Sequence, residues 1–307
     1  MKFERVIVIR DKTRLEQLIE RFNSKAQAKF YIESSGGDFD FFELEHNIFY
    51  ESLSKVKESI TGVYKHKVIH RSFLPTYIFT ENDLILVIGQ DGLVANTAKY
   101  INGLPIIGVN PDVEQCDGVF LKHSPRSLKG LLNTIVKGKY RTKQVSMAKA
   151  TLNDGQELLA FNDFYVGADS HVSSRYSIEF NGKKEQQSSS GIIVSTGAGS
   201  TGWLSSIFNM TNIINEHQTR NSHDCGITLD WNDNKLVFVV REPFLSKMSQ
   251  TNIGYGIITK NETLKIESNM TKKGVIFSDG IEADFLNFNS GSFVEIGIAD
   301  EKANLVL

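Results

Sequence analysis

Two hydrophobic rhythms divide the chain. A short apolar run, Arg5 to Ile9, is followed by Thr13-x-x-Glu16, a spacing in which hydroxyl and carboxylate satisfy helix-start amides reciprocally. Leu15, Leu18, Ile19 and Phe22 then recur at helical intervals, and Phe49, Leu53, Val56 and Ile60 form a second helical stripe. Leu84 to Ile88 is unbroken apolar sequence, as a strand covered on both faces requires. The loop Gly89-Gln90-Asp91-Gly92 follows, then a predicted helix from Leu93 to about Ile101, the breaker Asn102-Gly103, and a strand over Pro105 to Val109. This order predicts a parallel crossover and an α/β layer. Beyond Ala148 the runs shorten to strand length: Phe164–Val166, Tyr176–Phe180, Gly191–Val194, Leu236–Val240, Thr263–Ile266, Val275–Phe277 and Phe293–Ile298. Gly, Asn and Asp separate them, as at Asn153-Asp154-Gly155 and Asn181-Gly182, and one helix is predicted over Trp203 to His217. The second half therefore reads as mainly antiparallel β.

The change of rhythm falls near a basic stretch, Lys137, Lys139, Arg141, Lys143 and Lys149, which contains no acid. It reads as a solvated helix end or linker, with a phosphate-attracting rim as the alternative. The boundary is set here, giving domains over 1–145 and 146–307, the last residues being free to return to the first domain.

Composition narrows the function classes. The 307 residues carry 34 Lys+Arg against 36 Asp+Glu, a net charge of −2, which argues against a dedicated nucleic-acid binder. Hydrophobic residues make up 40%, enough for buried cores. Cys116 and Cys225 lack both disulfide-scaffold numbers and zinc spacing, and point to a reducing compartment. No run approaches the ~20 apolar residues of a membrane span, and Val6 to Ile9 is too short for a signal-peptide core. The expectation is a soluble cytoplasmic protein, folded from Met1 and independent of membranes.

Three glycine-rich sites compete for a phosphate-binding role. Gly197-Ala198-Gly199-Ser200-Thr201-Gly202 matches G-x-G-x-x-G between a strand and a helix, with Asp230 as a conceivable ribose acid. It stands inside the β-rich half, however, and Asp230 lies further on than that fingerprint needs. Gly36-Gly37-Asp38-Phe39 and Gly89-Gln90-Asp91-Gly92 each match three positions of a G-G-D-G loop. The first follows polar sequence and reads as a structural turn. The second stands at the carboxyl end of the most apolar strand and opens a helix, where open α/β sheets bind ligands.

With these residues in place, the chain resembles the NAD kinase family, most closely its mitochondrial-type branch and bacterial relatives. The resemblance runs through residues 84–112, 161–180, 187–203, 241–247 and 277–284, in family order. It implies an N-terminal α/β Rossmann-like domain, a C-terminal mainly antiparallel β-sandwich domain, a site in the cleft, and oligomerisation as a homodimer or homotetramer. It further implies phosphorylation of the adenosine ribose 2′-hydroxyl of NAD(H) by ATP with Mg²⁺ or Mn²⁺, giving NADP(H). Asp91 falls on the family's base for that hydroxyl, with Gly89 and Gly92 beside it in the phosphate loop. Asn162 and Asp163 match the Asn-Glu/Asp pair that holds the dinucleotide. Thr201, Gly202 and Trp203 fall on the turn that contacts adenine, and Ser206 on a serine beyond it. Arg175 and Asp279 are the remaining candidates near phosphate. Phosphoryl transfer asks for positioning and charge neutralisation, which these residue types supply.

Ser190 stands where many relatives carry an acid, although the mitochondrial-type branch also has serine there, and the departures from the pattern are Gln90 for the second glycine and Leu93 for a threonine. They keep two alternatives open: a catalytically weak nucleotide-binding regulator, and a kinase for a sugar or lipid hydroxyl. Weaker features have plainer readings. His66 and His70 could face one side of a helix as metal ligands, but no third ligand accompanies them. Arg175 could equally be a salt-bridged surface residue, and Asp279-Gly280 a plain type I′ or I turn. Ser195 and Ser200 have no histidine at a readable spacing for hydrolase chemistry.

Overall fold

The computed structural model describes residues 3–115, 117–219 and 225–307; Met1 and Cys116, both invoked above, lie outside them. The chain forms two compact units, 1–143 with 304–307, and 144–303.

In the first unit, β1 (Arg5–Arg10) leads into α1 (Arg14–Phe22), α2 (Lys25–Ser34) and α3 (Phe39–Ile60), then β2 (Lys65–His70), a 3₁₀ turn (Arg71–Thr76), β3 (Asp83–Ile88), α4 (Asp91–Ala98), β4 (Pro105–Val109) and α5 (Leu128–Val136). The strands run parallel in the order β2-β1-β3-β4. Asn304 and Leu305 extend the sheet in parallel register with Pro105 and Ile106. β3 is buried at every position, as its continuous apolar sequence requires. Phe49, Leu53, Val56 and Ile60 of α3 and Leu128, Leu132 and Ile135 of α5 pack in one core with Val6, Val8, Leu84, Leu86 and Ile107.

The capping box that starts α1 is complete: the Thr13 hydroxyl accepts from the Glu16 amide, and Glu16 accepts from the Thr13 amide at 2.8 Å. Burial opposes ionisation of Glu16, but Arg10, the Tyr50 hydroxyl and the Thr13 amide outweigh it and hold the carboxyl at about 2. The early glycine turn is structural: Gly36 takes φ +78°, and Asp38 caps α3 by accepting from the Asp40 amide.

His66 and His70 lie on the edge strand β2, not on a helix. Four residues along a strand span about 13 Å, so the pair cannot share a metal ion. The helix after β3 begins at Asp91, earlier than its apolar periodicity indicates.

The second unit contains β5 (Thr142–Leu152), β6 (Glu157–Ala160), β7 (Asp163–Ala168), β8 (Ser174–Phe180), β9 (Lys183–Ser189), β10 (Ile192–Ser195), α6 (Trp203–Thr219), β11 (Lys235–Val240), β12 (Tyr255–Thr259), β13 (Leu264–Ser268), β14 (Gly274–Ser278), β15 (Ile281–Asn287) and β16 (Phe293–Val306). One sheet, β12-β11-β10-β7-β14-β15, is antiparallel throughout. The facing layer pairs β16 with β13, β13 with β8 and β8 with β9, and pairs β5 with β6. Phe164, Val166, Ile192, Val194 and Phe238 meet Tyr176, Ile178, Ile266 and Ile296 in the core between the layers. An α/β unit and an antiparallel sandwich are thus both present, as expected.

β9 has no apolar residue, yet Gln187 and Ser189 are buried. The Tyr176 hydroxyl donates to Gln187 at 3.1 Å and lies 2.7 Å from the Ser189 hydroxyl, while the Gln187 amide donates to the Ile253 carbonyl at 3.1 Å. A polar strand enters the core because its groups are paired there. Among the described residues, no helix is long and apolar enough to cross a membrane.

Candidate functional site

The buried strand β3 delivers the chain to Gly89, whose φ of +152° and 3.3 Å clearance from Leu93 suit glycine. Gln90 is exposed and makes no side-chain cap to α4. The carboxylate of Asp91, the first residue of α4, accepts from the Val119 and Phe120 amides, each at 2.8 Å. Each oxygen takes one donor, so acceptor capacity remains on both. Gly92 is exposed, and a Cβ there would meet nothing within 4 Å. Leu93 is buried, and its carbonyl accepts from the Thr97 hydroxyl at 2.7 Å.

The other candidates gather where β7 starts. β14 and β15 are joined through Asp279 and Gly280, both at positive φ (55° and 68°), so the hairpin turn is of the I′ kind. The Asp279 carboxylate accepts from the amides of Phe161 at 3.1 Å and Asn162 at 2.6 Å, with Asp163 at 3.3 Å. In return, the Asp279 amide donates to the Asp163 carbonyl at 3.0 Å. The Asp163 side chain is buried, and its carboxylate accepts no hydrogen bond among the described residues. Burial, then the neighbouring Asp279 charge, pushes its pKa up to about 7. Beside it, the buried Asn162 Oδ1 has no hydrogen-bond partner. An acceptor thus withdrawn from water and left unsatisfied costs free energy unless a ligand completes it.

The glycine-rich loop lies over this pair. The Thr196 amide donates to the Asn162 carbonyl at 2.8 Å, and its hydroxyl to the Phe161 carbonyl at 2.6 Å. A Cβ on Gly199 would lie 2.2 Å from the Asn162 carbonyl oxygen, and one on Gly197 would lie 2.0 Å from that of Asp230. These glycines serve chain packing. β10, which precedes them, is antiparallel to both neighbours, so the motif is not the dinucleotide fingerprint of a parallel fold. Ser195 and Ser200 donate to carbonyls of Thr196 and Gly197, which fits no hydrolase role.

Thr201 and Gly202 are exposed at the start of α6, and the exposed Ser206 hydroxyl reaches the Gly202 carbonyl at 3.4 Å. Half-buried Trp203 stacks on Tyr165 at 6.0 Å between centroids, and Arg241 covers it at 5.3 Å. Arg241 also donates to the Ser190 carbonyl at 3.5 Å. Nothing in the local pattern singles out Arg241; its block, 241–247, was the available signal. Arg175 stands apart: Ser174 bonds the amide of Ala168, at the far end of β7 from Asp163, and Arg175 itself is exposed. Among the described residues there is no group of three or more His, Cys, Asp or Glu that could hold a metal ion.

No protein-family model matches the chain. Over 129 residues it is 29% identical to the NAD kinases of two Clostridium kluyveri strains, a match covering 39% of this chain and 44% of theirs. The chain therefore matches less than half the length of these curated relatives. Among solved structures it superimposes on an Archaeoglobus fulgidus NAD kinase in complex with ATP (TM-score 0.60, 13% identity, 98% of this chain and 92% of that one). It also superimposes on yeast NADH kinase complexed with NADH (TM-score 0.63, 11% identity, 100% and 84%). The chain has the NAD kinase fold, with a distant sequence likeness to NAD kinases.

Proposed function

We propose that the chain is an NAD kinase, transferring a phosphoryl group from ATP to the adenosine ribose 2′-hydroxyl of NAD(H), in the cytoplasm. The observation that carries this reading is the buried Asn162 Oδ1 without a partner at the head of β7, beside the buried Asp163, on a fold shared with NAD kinases. Asn162 offers both donor and acceptor to a ribose hydroxyl or a base edge. Asp163, with a pKa of about 7, can accept from such a group or, when protonated, donate to it. Thr201, Gly202, Trp203 and Ser206 would border the adenine.

Asp91 would accept or orient the proton of the attacking hydroxyl, its carboxylate held in place by the amides of Val119 and Phe120. The open space at Gly92 and the amides at the start of α4 would receive phosphate oxygens. Arg175 and Asp279 drop out as phosphate contacts on this reading: one lies elsewhere and the other is committed to main-chain amides. The divalent cation, Mg²⁺ or Mn²⁺, enters as part of the metal–ATP substrate. Ser190 supports placement beside the mitochondrial-type branch, and a homodimer or homotetramer is the assembly we assign.

A second reading is a nucleotide-binding regulator with little turnover. It is favoured by Gln90 and Leu93, which put side chains where close-approaching glycine and a hydroxyl are expected. The deciding assay is NADP formation from NAD, ATP and Mg²⁺ or Mn²⁺ by the wild type and Asp91→Asn. Turnover that falls by roughly a hundredfold or more in the variant supports the kinase and the role of Asp91. Absent turnover with retained NAD binding favours the regulator.

A further inference from the structure

We infer that Asp279 is a positioning residue for the dinucleotide-binding pair, its carboxylate clamping the main chain at 161–163 while its charge faces the Asp163 carboxyl. This rests on the proposed role of Asn162 and Asp163. The clamp joins segments far apart in the chain. Asp279 reaches it from a two-residue I′ turn at left-handed φ, a conformation uncommon outside glycine and best tolerated by Asn and Asp. Both of its oxygens accept amides from the peptide that carries Asn162 and Asp163, and its own amide donates back to the Asp163 carbonyl.

The reciprocal bonds fix the direction in which the two side chains leave the backbone. Meanwhile, the Thr196 amide and hydroxyl pin the carbonyls of Asn162 and Phe161. The peptide is thus held through amides on one side and carbonyls on the other, and Asn162 and Asp163 need not be ordered by the ligand.

The electrostatic half follows from the surroundings of Asp163. β10 offers Ser195, in register with it, and the loop 196–202 carries no charged residue. β14 offers Ser278, in register with Phe164. The charge that acts on Asp163 is that of Asp279. A carboxyl that is buried, lacks donors and faces a like charge keeps its proton to higher pH than an ordinary aspartate. Burial, reinforced by the Asp279 charge, thereby keeps Asp163 able to donate a hydrogen bond to an acceptor atom of the ligand.

Two measurements on the unliganded full chain test this. Carboxyl ¹³C NMR of labelled aspartate, with the Asp163 signal assigned by Asp163→Asn, follows its titration in wild type and Asp279→Asn. The variant should lower the Asp163 midpoint by about one unit or more, a roughly tenfold change in proton affinity. Amide exchange at 161–163 should accelerate at least about tenfold in Asp279→Ala, with β10 amides as the control for global unfolding. Unchanged titration together with unchanged exchange overturns the assignment. If Asp279→Ala does not fold, the Asp279→Asn titration alone decides. In the assay above, Asp279→Asn should raise KM for NAD by roughly tenfold with a smaller change in kcat, as lost positioning in ground and transition state would. A wild type without turnover sinks the kinase reading, yet leaves both spectroscopic results to decide for or against the clamp.

Discussion

At Asp163, burial and a neighbouring like charge oppose ionisation. Its pKa of about 7 lies above the ordinary aspartate value of 3.8, so the fold favours its protonated form. Its contribution to stability is therefore complete below about pH 4 and is lost as the pH rises through 7. Asp163→Asn, which cannot ionise, should stabilise the chain at pH 8 by about 2–4 kcal/mol relative to wild type and change little at pH 4. Denaturant titrations at the two pH values check this. On the proposed role of Asp163, the same variant should weaken dinucleotide binding. Glu16 behaves in the opposite sense. Its carboxyl is held at about 2 by Arg10, Tyr50 and the Thr13 amide, so its contribution is present above about pH 4.5 and fades as pH falls towards 2. Glu16→Ala should cost about 1–2 kcal/mol at pH 7, read as a lower denaturation midpoint, and much less near pH 2. The Thr13–Glu16 spacing is readable in the chain, whereas the partnership of Glu16 with Tyr50 is not.

Glycines separate structural from ligand-facing elements. Gly197 and Gly199 follow β10 at points where a Cβ would fall within 2.0 and 2.2 Å of carbonyl oxygens. Alanine at either position forces the backbone apart and should destabilise by at least about 2 kcal/mol, visible as a lowered melting temperature. Gly92, inside the first turn of α4, has open space around its absent Cβ. Gly92→Ala should therefore leave the fold intact or stabilise it by about 0.5–1 kcal/mol. It should nonetheless cut phosphoryl transfer, because the added methyl occupies the space proposed for a phosphate oxygen. Loss of activity without loss of stability distinguishes that space from an idle surface. The three glycine motifs look alike as strings; the carbonyls that face them set them apart. Of the strands, β3 and β10 are legible because burial on both faces imposes continuous apolar sequence. β9 escapes such a reading because hydrogen bonds with Tyr176 and Ile253, rather than apolar area, compensate the burial of Gln187 and Ser189.

At the scale of the whole chain, each unit has its own apolar core, one beneath the helices of the parallel sheet and one between the layers of the sandwich. A ligand that binds only the folded state adds RT ln(1 + [L]/Kd) to stability. With NAD(H) at a hundred times its dissociation constant, the melting temperature should rise by roughly 4 °C. Asp163→Asn should abolish most of that rise despite its higher intrinsic stability. A matched rise in the variant would remove Asp163 from the binding residues. Net charge is −2, so this response should depend weakly on salt, unlike a contact dominated by phosphate counterions.

Local sequence carried the elements whose burial leaves a periodic trace: the apolar strands, the α3 stripe, the capping box of α1 and the change from helical to strand rhythm near Ala148. It also carried the adjacency of Asn162 and Asp163 and the position of Asp91 after the most apolar strand. The fold brought in what no local rhythm records. Asp279 meets the amides of residues 161–163, the Gly199 backbone lies against Asn162, Val119 and Phe120 hold Asp91, and Arg241 covers Trp203. The physical reason is that hydrophobic periodicity reports which face of an element is buried. A backbone amide carries no residue-specific signature, and which distant carboxylate it meets is settled only when strands far apart in the chain are laid side by side.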